Sequence, residues 1–180
     1  MSSYTNSVDF AAWPGARHIA EACTPKDQSV AKVAIVDALL RGNTPSGSFT
    51  STELAIATAA VVNCQAACDE ADIEIDAVIV VAGYAAPLSP APALLTQIGK
   101  AIALFYMHSD LRINSEINSD GQHPIHARYK WAQKQLEDIR NRKLSLGPTD
   151  PHPPSSGGGP AFFAGEQRLW GRKSRGLSDG

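Results

Sequence analysis

The segment that most constrains this chain starts at Thr50. Thr50, Ser51, Thr52 and Glu53 spell a capping box, in which the Thr50 side chain accepts from the third helical N–H and Glu53 reaches back to the Thr50 N–H. Downstream, Leu54, Ala57, Val61, Cys64, Cys68, Ala71, Ile75, Val78 and Ala82 recur at intervals of three or four, the spacing of one helix face. The pattern predicts a single helix over residues 51–82, about 45 Å long from the helical rise. Asp69, Asp72 and Asp76 fall off the stripe and are expected on the other side. Residues 77–83 are rich enough in Val and Ile to suit a strand, but the stripe passes through them in phase, which favours helix. A helix this long takes most of its stability from packing partners, so the rest of the chain is expected to supply them.

Four further segments fit that demand. Residues 8–23 carry Phe10, Trp13 and Ile19 and are interrupted at Pro14-Gly15. Residues 29–41 place Val30, Val33, Ile35, Val36, Leu39 and Leu40 mainly on one face and stop at Gly42-Asn43. After a proline-set turn from Gly83 to Pro92, residues 92–108 are apolar around most of their circumference through Leu94, Leu95, Ile98, Ala101, Ile102, Phe105 and Tyr106. Such a helix belongs at the centre. Residues 109–123 read as a polar loop. Residues 124–142 turn Ile125, Tyr129, Ala132, Leu136 and Ile139 inward, and basic residues gather near the C-terminus, where the helix dipole favours them. No strand ladder and no repeat is visible. The expected fold is all-α: an antiparallel helical bundle with a long central helix hairpin, residues 1–142, followed by an extended C-terminal arm, residues 143–180.

The arm cannot build a core. Its middle is Pro, Gly and Ser spacer, and its end collects Phe162, Phe163, Arg168, Trp170, Arg172, Lys173 and Arg175. Aromatics and Arg are the residues that dominate docked interfaces, so these seven are the candidate partner-binding residues. Charge is unevenly spread along the 180 residues: residues 1–119 hold 6 Lys/Arg against 12 Asp/Glu, residues 120–180 hold 10 against 6. That layout suits contact between neighbouring subunits of opposite local charge. A small helical nucleic-acid-binding or regulatory protein, with the arm as its basic contact, is the alternative. Four positive charges offset by Glu166 and Asp179 are thin for that role.

The sequence carries no recognisable catalytic signature. Cys64 and Cys68 share a face but sit on the apolar stripe, where a thiol behaves as a small hydrophobe. His123 and His126 are a weak ligand pair. Asp69, Glu70, Asp72, Glu74 and Asp76 wrap around their helix instead of converging, which suggests a solvated or inter-subunit face. Gly157, Gly158 and Gly159 lack the strand, helix and Lys-Ser/Thr of a phosphate loop, and no nucleophile elbow exists. A non-enzyme without metal or cofactor is expected. Three cysteines suit a reducing compartment, and neither a signal peptide nor a membrane span is expected.

The order of residues also resembles a known family. Glu74-Ile75-Asp76-Ala77, followed by Gly83-Tyr84, Pro87-Leu88, Pro90, Pro92 and Leu94-Leu95, is similar to the hinge between two helices in Mu-like tailed-phage head–tail connector (adaptor, or neck) proteins. Arg128-Tyr129, Trp131 and Leu136 resemble that family's last helix. Lys143-Leu144-Ser145-Leu146-Gly147 resembles its next segment, with Arg142 where the pattern carries glycine. The resemblance covers about residues 51–180. The N-terminal 50 residues depart from it, with Trp13-Pro14-Gly15 and the extra helix at 29–41. It implies a structural virion protein at the head–tail interface, assembled in the host cytoplasm. Copies would form a ring, a dodecamer by portal symmetry, between the portal protein and the tail-side neck (stopper) protein. Genome DNA would pass through its channel without sequence recognition.

Overall fold

A computed structural model describes residues 4–108 and 124–146. A helical turn at Ala11–Gly15 is broken by the extended backbone of Trp13 (φ −155). It is followed by α1 (Ala16–Cys23), α2 (Val33–Leu40), α3 (Ser51–Val81), α4 (Ala93–Met107) and α5 (Pro124–Arg140). Among the described residues there is no strand, and the fold is all-α.

The long helix runs as its sequence predicts. The Thr50 side chain accepts from the Glu53 N–H at 3.2 Å and Glu53 accepts from the Thr50 N–H at 3.1 Å, which closes the capping box. No break occurs at residues 77–81, so the strand alternative is excluded there. Ala57, Cys64, Cys68, Ala71, Ile75 and Ala82 of the expected stripe are buried, and Val61 and Val78 are partly so. Leu54, by contrast, is exposed. The expected helix at 29–41 is shorter than its pattern: α2 begins at Val33, and Val30 and Val33 are exposed while Ile35, Val36 and Leu40 are fully buried.

α4 is the buried centre. It packs on α3 along one side and α5 along another, while α1 and α2 cover α3. Hydrogen bonds from Gln133 to Glu74 and from Arg142 to the Ala82 carbonyl join residues 59 and 60 apart in sequence. Contacts that advance together in this way mean that α3 and α5 run parallel, with α4 antiparallel between them. Phe105 stacks on Tyr129 with ring centroids 4.0 Å apart, fixing the α4–α5 contact.

Three helices end in the same device. At the ends of α2, α3 and α5, the residue at C′ takes a positive φ and two N–H groups return to the last turn: Gly42 and Asn43 to Leu39 and Ala38, Gly83 and Tyr84 to Val80 and Ile79, Arg142 and Lys143 to Ile139 and Asp138. This is the Schellman arrangement, whose left-handed position favours glycine. Arg142 (φ 56) adopts it without being glycine. It occupies the position where the resembling pattern has glycine, and its guanidinium compensates by bonding the Ala82 carbonyl at 3.3 Å. Beyond it, Leu144 and Leu146 pack against the core.

Candidate functional site

The acidic run on α3 does not form the solvated face its spacing suggests. Asp69 and Glu70 are exposed, but Asp72 is buried and Glu74 and Asp76 are half-buried. The reason lies in the N-terminal segment, which crosses α3 at this level. Asp72 accepts from the Tyr4 N–H at 3.1 Å and from the Thr5 hydroxyl at 3.2 Å. The Tyr4 hydroxyl donates to Asp76 at 2.7 Å and accepts from the Leu88 N–H at 3.0 Å. On the next turn, Glu74 accepts from the Tyr106 hydroxyl at 2.6 Å and from Gln133. Three carboxylates therefore tie the N-terminus, the α3–α4 turn, α4 and α5 to one helix. They are structural bonds, and they leave Asp69 and Glu70 as the outward charges of the run.

Burial pushes the Tyr4 phenol up to about 12, and the neighbouring Asp76 carboxylate adds to the effect. Burial and the Glu74 carboxylate likewise raise Tyr106. A phenol whose folded pKa exceeds its ordinary 10.0 contributes stability that is complete below pH 10 and is lost as pH climbs toward 12. Melting temperature is therefore expected to be flat from neutral pH to pH 10 and to fall above it. Tyr4→Phe is expected to melt lower at neutral pH, since the Leu88 N–H loses its acceptor, and to show a shallower alkaline fall. An unchanged alkaline slope would contradict the assignment.

Cys23, Cys64 and Cys68 are free and buried. Hydrogen bonding with the Cys23 and Cys68 thiols, together with burial, raises the Cys64 thiol far above its ordinary value, so it remains a protonated core group. His123 lies outside the described residues. His126 is buried, stacks on Phe105 with centroids 6.0 Å apart, and leaves its Nδ1 without a hydrogen-bond partner among the described residues. Among the described residues no group of three or more His, Cys, Asp or Glu side chains converges to hold a metal. None of their helices is long and apolar enough to cross a membrane.

Two outward surfaces emerge that the sequence pattern did not single out. On α3, Val62, Ile73, Val80 and Val81 are exposed, Ile73 at 70%. The helix is apolar on two sides, which a search for a single stripe overlooks. On the opposite side of the fold, Trp13, Gln97, Lys100, Ala101, Arg128 and Trp131 line a notch of about 310 Å³. The Arg128 guanidinium lies 4.3 Å from the Trp13 ring centre, a cation–π contact, and Lys100 pairs with Asp9 at 3.3 Å. Half-exposed Trp beside Arg is the composition of an interface centre. Trp13 and Trp131 are 118 positions apart in sequence, so only folding brings them together.

The seven expected arm residues, Phe162, Phe163, Arg168, Trp170, Arg172, Lys173 and Arg175, lie outside the described residues. Comparison with known proteins gave one family, described as Bacteriophage Mu, Gp36, whose pattern matches residues 4–164. Searches of curated proteins and of solved structures found no match. The matched span includes the N-terminal segment that binds α3, all five helices, and Phe162 and Phe163, while the basic residues from Arg168 onward lie beyond it. It extends over most of the sequence, and this chain belongs to the bacteriophage Mu Gp36 family.

Proposed function

We propose that this chain is a head–tail connector (adaptor) subunit, a structural, non-catalytic part of a tailed-phage particle. Copies form a ring, twelvefold to follow the portal, that sits on the portal protein and receives the tail-side neck (stopper) protein on its other face. DNA passes through the ring without being read. Membership of a bacteriophage Mu family across residues 4–164 carries this reading. A helical body in which Asp72, Glu74 and Asp76 are spent on internal bonds, with half-exposed aromatics and apolar faces left outward, supports it. Phe162, Phe163 and Trp170 act as apolar anchors on the portal, with Arg168, Arg172, Lys173 and Arg175 pairing with acidic partner groups.

A nonsense mutation in the gene for this chain tests the reading. The expected lysate contains heads and tails that do not join, and supplying the wild-type chain restores infectivity. Normal infectious particles made without the chain would overturn it.

A further inference from the structure

The two outward apolar surfaces lie on opposite sides of one protomer. Ile75 of α3 faces Gly99 of α4: a side-chain atom added at Gly99 would lie 3.3 Å from the Ile75 terminal methyl. Residues two positions apart on a helix point about 200° apart. Ile73 and Ala77, which flank Ile75, therefore point away from α4. Gln97 and Ala101, which flank Gly99, point away from α3 and line the tryptophan notch. The same angular count puts Val62, Ala66, Ile73, Ala77 and Val80 on one exposed line of α3, interrupted only by Asp69 and Glu70. From Val62 to Val80 that line runs about 27 Å along the helix.

We infer that these two surfaces meet head to tail: the outward line of α3 in one copy of this chain seats on the Trp13–Trp131 notch of the next. Three observations select a second copy as the occupant. Among the described residues nothing covers either face, and the two lie on opposite sides, which is the layout of a heterologous contact that repeats from subunit to subunit and closes into a ring. Their shapes are complementary in kind, since a narrow ridge of Ala, Val and Ile suits a shallow aromatic notch. Their charges are opposite. α3 carries no Lys or Arg along its whole length and shows Asp69 and Glu70 in the middle of the line, whereas the notch presents Arg128 over Trp13 and Lys100, the latter paired with Asp9. Docking would place a carboxylate near a guanidinium at the centre of an apolar contact. The inference deepens the connector reading by naming the faces that would join its ring.

The test is the mass in solution of the full-length chain, of Ile73→Glu, of Trp131→Ala, and of an equimolar mixture of the two variants. Both positions are exposed, and circular dichroism checks that each variant keeps its helices. Wild type is expected to form assemblies larger than a dimer. Each variant alone is expected to associate on the order of 100-fold more weakly and to run as a monomer. The mixture is expected to give a heterodimer and nothing larger, because Trp131→Ala keeps an intact α3 line and Ile73→Glu keeps an intact notch. A wild-type chain that stays monomeric at millimolar concentration overturns the inference. So does a variant that assembles like wild type, as it would if this chain's own C-terminal residues covered α3, or a mixture that stays monomeric. The two readings fail separately. Wild type that self-associates through these faces but ignores the portal leaves the interface standing without the connector role. A ring of Ile73→Glu formed on the portal leaves the connector role standing without the interface.

Discussion

Removal of residues 150–180 is expected to abolish joining to the portal while leaving the helical body folded. The described residues already close the body: α5 ends on its own carbonyls through Arg142 and Lys143, and the chain packs against the core at Leu144 and Leu146. Far-UV circular dichroism and melting temperature should therefore match the full chain. Docking should not survive, because Phe162, Phe163 and Trp170 supply the large apolar contacts of the proposed interface, and truncating such anchors costs about 2 kcal/mol or more each without simple additivity. A ring multiplies the loss, since many weak arms acting together bind far more tightly than one. The substitutions Phe162→Ala and Phe163→Ala together are expected to weaken copurification with the portal by ~100-fold or more. Neutralising Arg168, Arg172, Lys173 and Arg175 should weaken it less and chiefly reduce its salt dependence. A chain lacking residues 150–180 that still copurifies with the portal would remove the arm from the account.

Phe10→Ala is expected to destabilise the body by about 3–5 kcal/mol, the range for emptying a fully buried phenylalanine site. Phe10 has no exposed surface and belongs to the same core as Ile19, Ile35, Val36 and Leu40, so its removal leaves a space inside the packed interior. The measurement is urea unfolding, with the midpoint falling and the slope unchanged. Val8→Ala, two residues away and 55% exposed, should stay within about 0.5 kcal/mol of wild type. A Phe10→Ala loss below about 1 kcal/mol would mean that the N-terminal segment is an appendage and not part of the core.

The helical layout was legible because its signals are local. The Thr50–Glu53 box and the in-phase stripe locate α3 to within a residue at each end, and the apolar circumference of residues 92–108 identifies the central helix. Asp72 was misplaced for the opposite reason. A carboxylate two-thirds of the way along a helix is assigned outward by pattern, and only a partner 67 and 68 residues away, the Thr5 hydroxyl and Tyr4 N–H, makes its burial favourable. Nothing near Asp72 in sequence announces that partner. The outward line of α3 escaped because Val62, Ile73 and Val80 blend with the inner stripe in a helix that is apolar on two sides. The tryptophan notch is a tertiary feature of three elements. Arg142 shows a subtler limit: its left-handed backbone is imposed by the end of α5, and no property of arginine predicts it. The matched family span does bring the atypical N-terminal residues within the family, which the residue-by-residue resemblance over 51–180 did not.

The most direct measurement is electron microscopy of the purified chain mixed with the portal protein of the same genome, with symmetry counted in projections along the portal axis. The expected result is a second ring, stacked on the portal, of twelvefold symmetry and with an open centre. A portal that keeps its bare profile in a saturating excess of this chain would contradict the connector role.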